Sequence, residues 1–145
     1  MYRLRSDGPA VLLVHPGGPY WAKRDTGAWS IPKGESNPDE DARSAAIREF
    51  TEELGTAPVG ELQPLGEIRQ AGGKRVIAFA VEGDFDVATL QSNTFDMPWP
   101  PHSGRMQSFP EVDRAAWLAL PDAREKILAS QLALLDRLEQ LLSRA

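Results

Sequence analysis

Three glutamates, Glu49, Glu52 and Glu53, stand in the run Arg48-Glu49-Phe50-Thr51-Glu52-Glu53-Leu54 of this 145-residue chain. A helix turns about 100° per residue, so positions i, i+3 and i+4 share one stripe and the three carboxylates converge. Like charges at those spacings cost roughly 0.2–0.5 kcal/mol per pair. Acids in a last helical turn also oppose the helix dipole, at about 0.3–1 kcal/mol each. A merely solvated acidic face gains nothing from such an arrangement. A site for a hard divalent cation does, because Mg²⁺ takes carboxylate oxygens and completes its shell with water and substrate phosphate. Arg48 is adjacent to Glu49 and four residues before Glu52. It can hold a carboxylate through paired hydrogen bonds, and the same spacing also describes an ordinary surface ion pair.

This chemistry needs a helix that ends near Leu54. Asn37-Pro38-Asp39-Glu40 has the marks of a helix start, with Asn at the N-cap, Pro at the first position and Glu able to reach back. The expected helix runs from there to Leu54, and Gly55 suits the left-handed position that follows. Ile47, Phe50 and Leu54 fall on a neighbouring stripe, so the carboxylates border the core. Around this helix, residues 11–15 read as a buried strand closed by Pro16-Gly17-Gly18-Pro19, and residues 28–31 as a short strand stopped by Pro32. Residues 65–70 and 75–81 read as a hairpin about Ala71-Gly72-Gly73-Lys74. Residues 84–104 look long and irregular, and residues 115–120 could form a last strand. Pro121-Asp122 opens a final helix with Ile127, Leu128, Leu132, Leu135, Leu138 and Leu142 at spacings of three and four. Strands mixed with two helices imply an α/β fold, an α/β/α sandwich around a mixed sheet. Residues 1–145 read as a single domain.

Hydrophobic residues make up 41% and charged residues 26% of the chain, the balance of a soluble globular protein. The absence of cysteine excludes a disulfide scaffold, a Cys nucleophile and a thiolate metal site, and fits a reducing compartment. The N-terminus lacks a signal-peptide core, and no apolar stretch reaches about 18 residues. The expectation is a cytoplasmic protein that neither crosses nor enters a membrane. The net charge of -5 argues against a nucleic-acid polymer as partner. Residues 34–56 hold seven acids against two bases, and the remainder holds fourteen of each, so the whole net charge belongs to the segment with the glutamates. That distribution reads as a cation site.

Residues 34–56, GESNPDEDARSAAIREFTEELGT, resemble the Nudix box, usually written GX5EX7REUXEEXGU with U a bulky aliphatic residue. Gly34, Glu40, Arg48, Glu49, Phe50, Glu52, Glu53 and Gly55 fall in register with it. Phe50 is aromatic where Ile, Leu or Val is usual, and Thr56 replaces the final aliphatic residue; both are packing positions. The resemblance implies a Nudix-type α/β/α sandwich that hydrolyses a nucleoside diphosphate linked to another group, using Mg²⁺ or Mn²⁺. It implies that Glu49 and Glu53 are metal ligands and Glu52 a further ligand or the water-activating base. Arg48 would orient a box glutamate, Gly34 would let a main-chain carbonyl approach the metal, and Glu40 would cap the helix and support the loop.

Several residues outside the box are candidates for substrate contact. Lys33 precedes the box glycine in Pro32-Lys33-Gly34, a variant that looks like that of the animal-type diadenosine tetraphosphate hydrolases, and it can act as a point charge on phosphate. Glu111, in Phe109-Pro110-Glu111-Val112, stands where Nudix enzymes often place an extra acid facing the metals. Arg69, Lys74 and Arg105 could contact phosphates, and Tyr20, Trp29 or Trp99 could stack on a base. His15 and His102 have no metal-ligand spacing, and His15 reads as a packed residue. The expected substrate is therefore a nucleotide, first a dinucleoside polyphosphate, handled by a monomer or homodimer. Two alternatives are a house-cleaning nucleoside triphosphate pyrophosphohydrolase and a non-catalytic Nudix module that senses a nucleotide. The presence of all three box glutamates favours catalysis, and the general base is left among Glu52, Glu49 and Glu111.

Overall fold

The strand β2, Gly8–Pro16, is apolar along most of its length because both its faces are covered. The computed structural model, which describes residues 1–34, 37–70 and 72–144, shows what covers them. Val11 and Leu13 pack on one side with Ala123 of helix α2 (Leu120–Lys126) and with Leu135 and Leu138 of helix α3 (Leu132–Ser143). Leu12 and Val14 pack on the other side with Phe50 and Leu54 of helix α1 (Ala42–Leu54). Helices thus lie on both faces of the sheet, the layering expected for an α/β/α sandwich.

β2 pairs antiparallel with β1 (Tyr2–Arg5) on one edge and β7 (Val112–Ala119) on the other. The expected hairpin is present as β3 (Gln63–Arg69) and β4 (Arg75–Ala80); Ala71 of its turn lies outside the described residues. A parallel bridge joins it to β1 just beyond β4. There the Tyr2 N–H donates to the Val81 carbonyl at 2.9 Å and the Gly83 N–H to the Tyr2 carbonyl at 3.0 Å. This contact makes the sheet mixed. Further along, the space between the hairpin and β2 is a cavity.

Four expectations are corrected. The helix starts not at Asn37 but at Ala42, capped by the Asp41 carboxylate, which accepts from the Ser44 N–H at 2.8 Å. Asn37 to Glu40 form a turn with Asp39 at φ 67°, and Glu40 does reach back to the Asn37 N–H at 2.9 Å. The reason is Arg48, whose Nε lies 2.9 Å from Glu40 Oε2. Eight residues of helix would hold those two residues about 12 Å apart along the axis, so the chain must leave the helix between them. At the other end Gly55 takes the left-handed conformation as expected, φ 91°.

The expected final helix is broken in two. Ile127 is extended, with φ -74° and ψ 151°, and the backbone around it pairs with residue 29. The Trp29 N–H donates to the Lys126 carbonyl at 3.0 Å, and the Leu128 N–H to the Trp29 carbonyl at 2.8 Å. The short strand expected at 28–31 is instead a strap with single bridges at Ser30 to β2 and at Trp29 to Ile127. The irregular segment 84–104 contains β5 (Thr94–Pro98), which pairs with β6 (Met106–Pro110) as a two-stranded arm. β1 was not expected at all; only Tyr2 in it is buried.

The strap carries the chain to Lys33 and Gly34, and Gln131 secures it. This fully buried side chain accepts from the Ile31 N–H at 3.0 Å and donates to Ser30 Oγ at 3.0 Å. Gln131→Leu strips the Ile31 N–H of its acceptor and is expected to lower stability by ~1–3 kcal/mol. The reading is a lower urea midpoint at unchanged slope; an unchanged midpoint would show that the strap holds without it.

Candidate active site

Arg48 is the hub of the acidic cluster. Its Nε and Nη2 form a two-pronged pair with Glu40, at 2.9 and 3.0 Å. Its Nη1 donates to Glu49 Oε1 at 2.9 Å and to the Glu52 carboxylate at 3.2 Å. One guanidinium therefore gathers a turn carboxylate and two helix carboxylates. Hydrogen bonding from Arg48, and then from the Asn37 N–H, holds the Glu40 carboxyl below the usual carboxylate range.

Glu53 lies outside these bonds and points toward the strap, where it accepts from the Lys33 N–H at 2.9 Å. Burial pushes its pKa up to about 8, and the charges of Glu49 and Glu111 push the same way against the Lys33 hydrogen bond and charge. Glu111 is raised as well, first by burial and then by Glu49 and Glu52. A residue far from α1 in sequence thus joins the three helix glutamates. The backbone places it there: Glu111 N–H donates to the Asn93 carbonyl, and Asn93 N–H to the Glu52 carbonyl, each at 2.8 Å.

Gly34 is pressed against the same cluster, and a Cβ built on it would overlap the Glu49 carboxylate. Only glycine lets the strap pass that close. Lys33, Gly34 and Glu49 also line one end of the cavity, which measures about 640 Å³. Val11, Leu13, Ala78 and Leu135 give it apolar walls, and Lys74 and Arg75 lie along its hairpin side. A concave, mostly apolar space with a few charged groups at one end suits a ligand with a planar apolar part and a charged tail.

Lys33, Gly34, Glu49, Glu52, Glu53 and Glu111 are brought together as a group around Arg48. Arg69 is not: it is exposed on β3 and does not line the cavity. Its cross-strand neighbour Arg75 does, held by Glu67 through an ion pair of 2.6 Å. The sequence reading missed Arg75, although the hairpin register would have paired the two arginines. Trp29 is buried and bonded to Asp25 at 2.8 Å, so it cannot stack on a ligand. Tyr20 and Trp99 meet each other on the arm, and Arg105 lies at its tip. His15 is fully buried between Asp113, 2.8 Å from Nδ1, and the Arg24 carbonyl, 2.6 Å from Nε2, as a packed residue should be.

The donor set fits a hard divalent cation. Its acidic groups are all carboxylates; burial first, and then the charge of the neighbouring acids, raises Glu53 and Glu111, and bound positive charge would oppose both effects. Among the described residues no group of three or more His, Cys, Asp or Glu side chains is drawn together closely enough to hold a metal ion. A divalent cation held here would take one or two of these carboxylates, with water and phosphate oxygens as its other ligands.

The family model for the NUDIX domain matches residues 1–138. The chain belongs to the Nudix family and is a hydrolase of the pyrophosphohydrolase class. No curated protein matches it in sequence. Among solved structures it is similar to a binary complex of the Ap4A hydrolase of C. elegans, at 24% identity over 99% of this chain and 95% of that one, TM-score 0.67. It is similar also to the NUDIX domain of Shewanella oneidensis NrtR complexed with ADP ribose, at 18% identity over 97% and 82%, TM-score 0.64. A third is the MutT protein of Methanosarcina mazei Go1, at 22% identity over 97% and 90%, TM-score 0.61. At these identities the likeness is one of fold. Among the described residues no helix is long and apolar enough to cross a membrane.

The raised pKa of Glu53 has a measurable sign. In the fold the carboxyl keeps its proton up to about pH 8, whereas an unfolded chain loses it near the ordinary glutamate value of 4.5. Stability of the metal-free protein therefore falls as pH rises through that interval. Glu53→Gln removes the dependence, so the metal-free variant should melt above wild type at pH 8 and level with it near pH 5. Equal melting at both pH values would contradict the burial of this carboxyl.

Proposed function

We propose that the protein is a Mg²⁺-dependent pyrophosphohydrolase, also served by Mn²⁺, whose substrate is a dinucleoside polyphosphate. The observation that carries this reading is the placement of Glu49 at one end of an apolar cavity of about 640 Å³, with Glu52, Glu53 and Glu111 grouped beside it. The similarity to the C. elegans Ap4A hydrolase and the Lys33 variant of the box loop support the substrate class. The whole chain acts as one domain, a monomer or homodimer in the cytoplasm, on a soluble nucleotide.

Glu49, Glu52 and Glu53 are the residues to hold the cations, with the Gly34 main chain alongside. Bound cations neutralise phosphate charge and lower the pKa of the attacking water. Arg48 holds Glu49 and Glu52 in one orientation, and Glu40 fixes Arg48. Lys33 meets the phosphate chain as a point charge. Glu52, Glu49 or Glu111 takes the proton of the water as its oxygen bonds to phosphorus and the bridging P–O bond breaks. The leaving phosphate departs with the bridging oxygen, and two nucleotides result.

The test is turnover with Mg²⁺ of diadenosine tetraphosphate, ATP, an oxidised nucleoside triphosphate and ADP-ribose, with ¹⁸O-water to mark the attacked phosphorus. The dinucleotide is expected to have the highest kcat/KM. A clear preference for triphosphates would replace this reading with a house-cleaning pyrophosphohydrolase. Tight binding without any turnover would replace it with a sensor. Glu49→Gln and Glu53→Gln are each expected to lower kcat by ~100-fold or more while far-ultraviolet circular dichroism stays unchanged. Wild-type rates in either variant would remove these residues from the mechanism.

A further inference from the structure

The arm carries aromatic and basic groups that hydrolysis at the glutamates leaves unused. Residues 17–21 run along it from root to tip. The Gly17 N–H donates to the Glu111 carbonyl at 2.9 Å, Gly18 lies against the ring of Phe95, and Tyr20 meets Trp99 edge to face. The Tyr20 and Trp99 centroids are 5.4 Å apart with planes at 83°. Phe95 stands opposite Phe109 and Met97 opposite Gln107, so Phe95, Met97 and Trp99 share one face by strand alternation. At the tip the Trp99 N–H donates to the Arg105 carbonyl at 2.9 Å, which sets Arg105 beside Trp99.

Two features of this tip point to a ligand. Tyr20 is 60% exposed although it is a large aromatic residue fixed against another. The Arg105 guanidinium is exposed and, among the described residues, takes part in no hydrogen bond or ion pair. Aromatic faces beside a cation are a sequence-tolerant platform for nucleobases. The arm that bears it starts at the glutamates, because its root is bonded through Asn93 to Glu52 and is followed by Glu111. The acidic cluster thus has the cavity at Glu49 on one side and the arm at Glu111 on the other.

We propose that Tyr20, Trp99 and Arg105 form a second base-stacking subsite that takes the distal nucleoside of a dinucleoside polyphosphate, while the first nucleoside occupies the cavity. The proposal rests on the dinucleoside polyphosphate reading given above and extends it to the second half of the substrate. Trp99 follows Asn93 by six residues of mostly extended chain, about 20 Å at ~3.3 Å per residue. A mononucleotide in the cavity does not reach that far from the glutamates. A molecule with a nucleoside at each end of its phosphate chain spans both sides of the cluster.

The test compares diadenosine tetraphosphate with adenosine tetraphosphate, which have the same number of phosphates and differ by one nucleoside. Tyr20→Ala is expected to raise KM for the dinucleotide about tenfold, and to do so several-fold more than for the mononucleotide. Tyr20→Phe should keep the wild-type ratio, and Arg105→Ala should shift it in the same direction. Calorimetry on a Glu52→Gln background should show the same selective loss in binding. Equal losses on both substrates would make the arm scaffolding and overturn the subsite, as would no loss on either. If the unaltered protein turned over neither compound, the substrate reading itself would fall and this proposal with it. Turnover of both at a ratio indifferent to Tyr20→Ala would sink the subsite alone.

Discussion

Carboxylates crowded at the core-facing end of a helix repel one another, and much of the surrounding structure answers that repulsion. Arg48 reaches Glu40, Glu49 and Glu52 with one guanidinium, and this forces the residues before α1 out of helical geometry. Glu53 takes the Lys33 N–H instead, and so draws the strap to the helix. Gly34 follows because no side chain fits between the strap and Glu49. The strap in turn needs partners of its own, which come from the break between α2 and α3 and from buried Gln131. A chain of local requirements thus runs from like charges on one helix to an interruption in another.

The same arrangement explains which parts could be read from the sequence. The spacing of Glu49, Glu52 and Glu53, the end of α1 at Gly55 and the β3–β4 hairpin depend on neighbours in sequence, and periodicity and turn residues reveal them. Glu111 was legible only through its resemblance to a family position; its nearness to α1 is made by backbone bonds through Asn93. The N-terminal end of α1 misled because two starts compete: Asn37 with Glu40 has good local chemistry, and the tertiary pull of Arg48 decides for Asp41. The apolar periodicity from residue 127 to 142 could not reveal the break at Ile127, since both halves face the same core. In β5 and β6 the alternation of Phe95, Met97 and Trp99 was obscured by Pro98 and Pro100. β1 has too few buried residues to produce a signal.

Chemistry and recognition also occupy different elements. The helix glutamates stand on α1, where Arg48 holds Glu49 and Glu52 and the Lys33 N–H holds Glu53, and Glu111 joins them from just before β7. The cavity is walled by β2, α3 and the β3–β4 hairpin, with Glu49 at one end, and the arm is a hairpin of its own. The apolar core around β2 is packed on both faces, and α1 is anchored in it through Phe50 and Leu54.

The β3–β4 hairpin is tied to the rest of the sheet by a parallel bridge at its base, Tyr2 opposite Glu82. Along its length it leans on α3, where Arg137 donates to the Leu65 and Glu67 carbonyls at 3.1 and 3.0 Å and Leu134 packs on Ile68 and Ala78. It forms a lip of the cavity, and changes on that lip would alter what the cavity holds without touching the helix that carries Glu49, Glu52 and Glu53. A fold built this way separates the residues that shape a cavity from those that crowd charge at its end. Relatives that share the architecture at 18 to 24% identity are described with partners as different as Ap4A and ADP ribose.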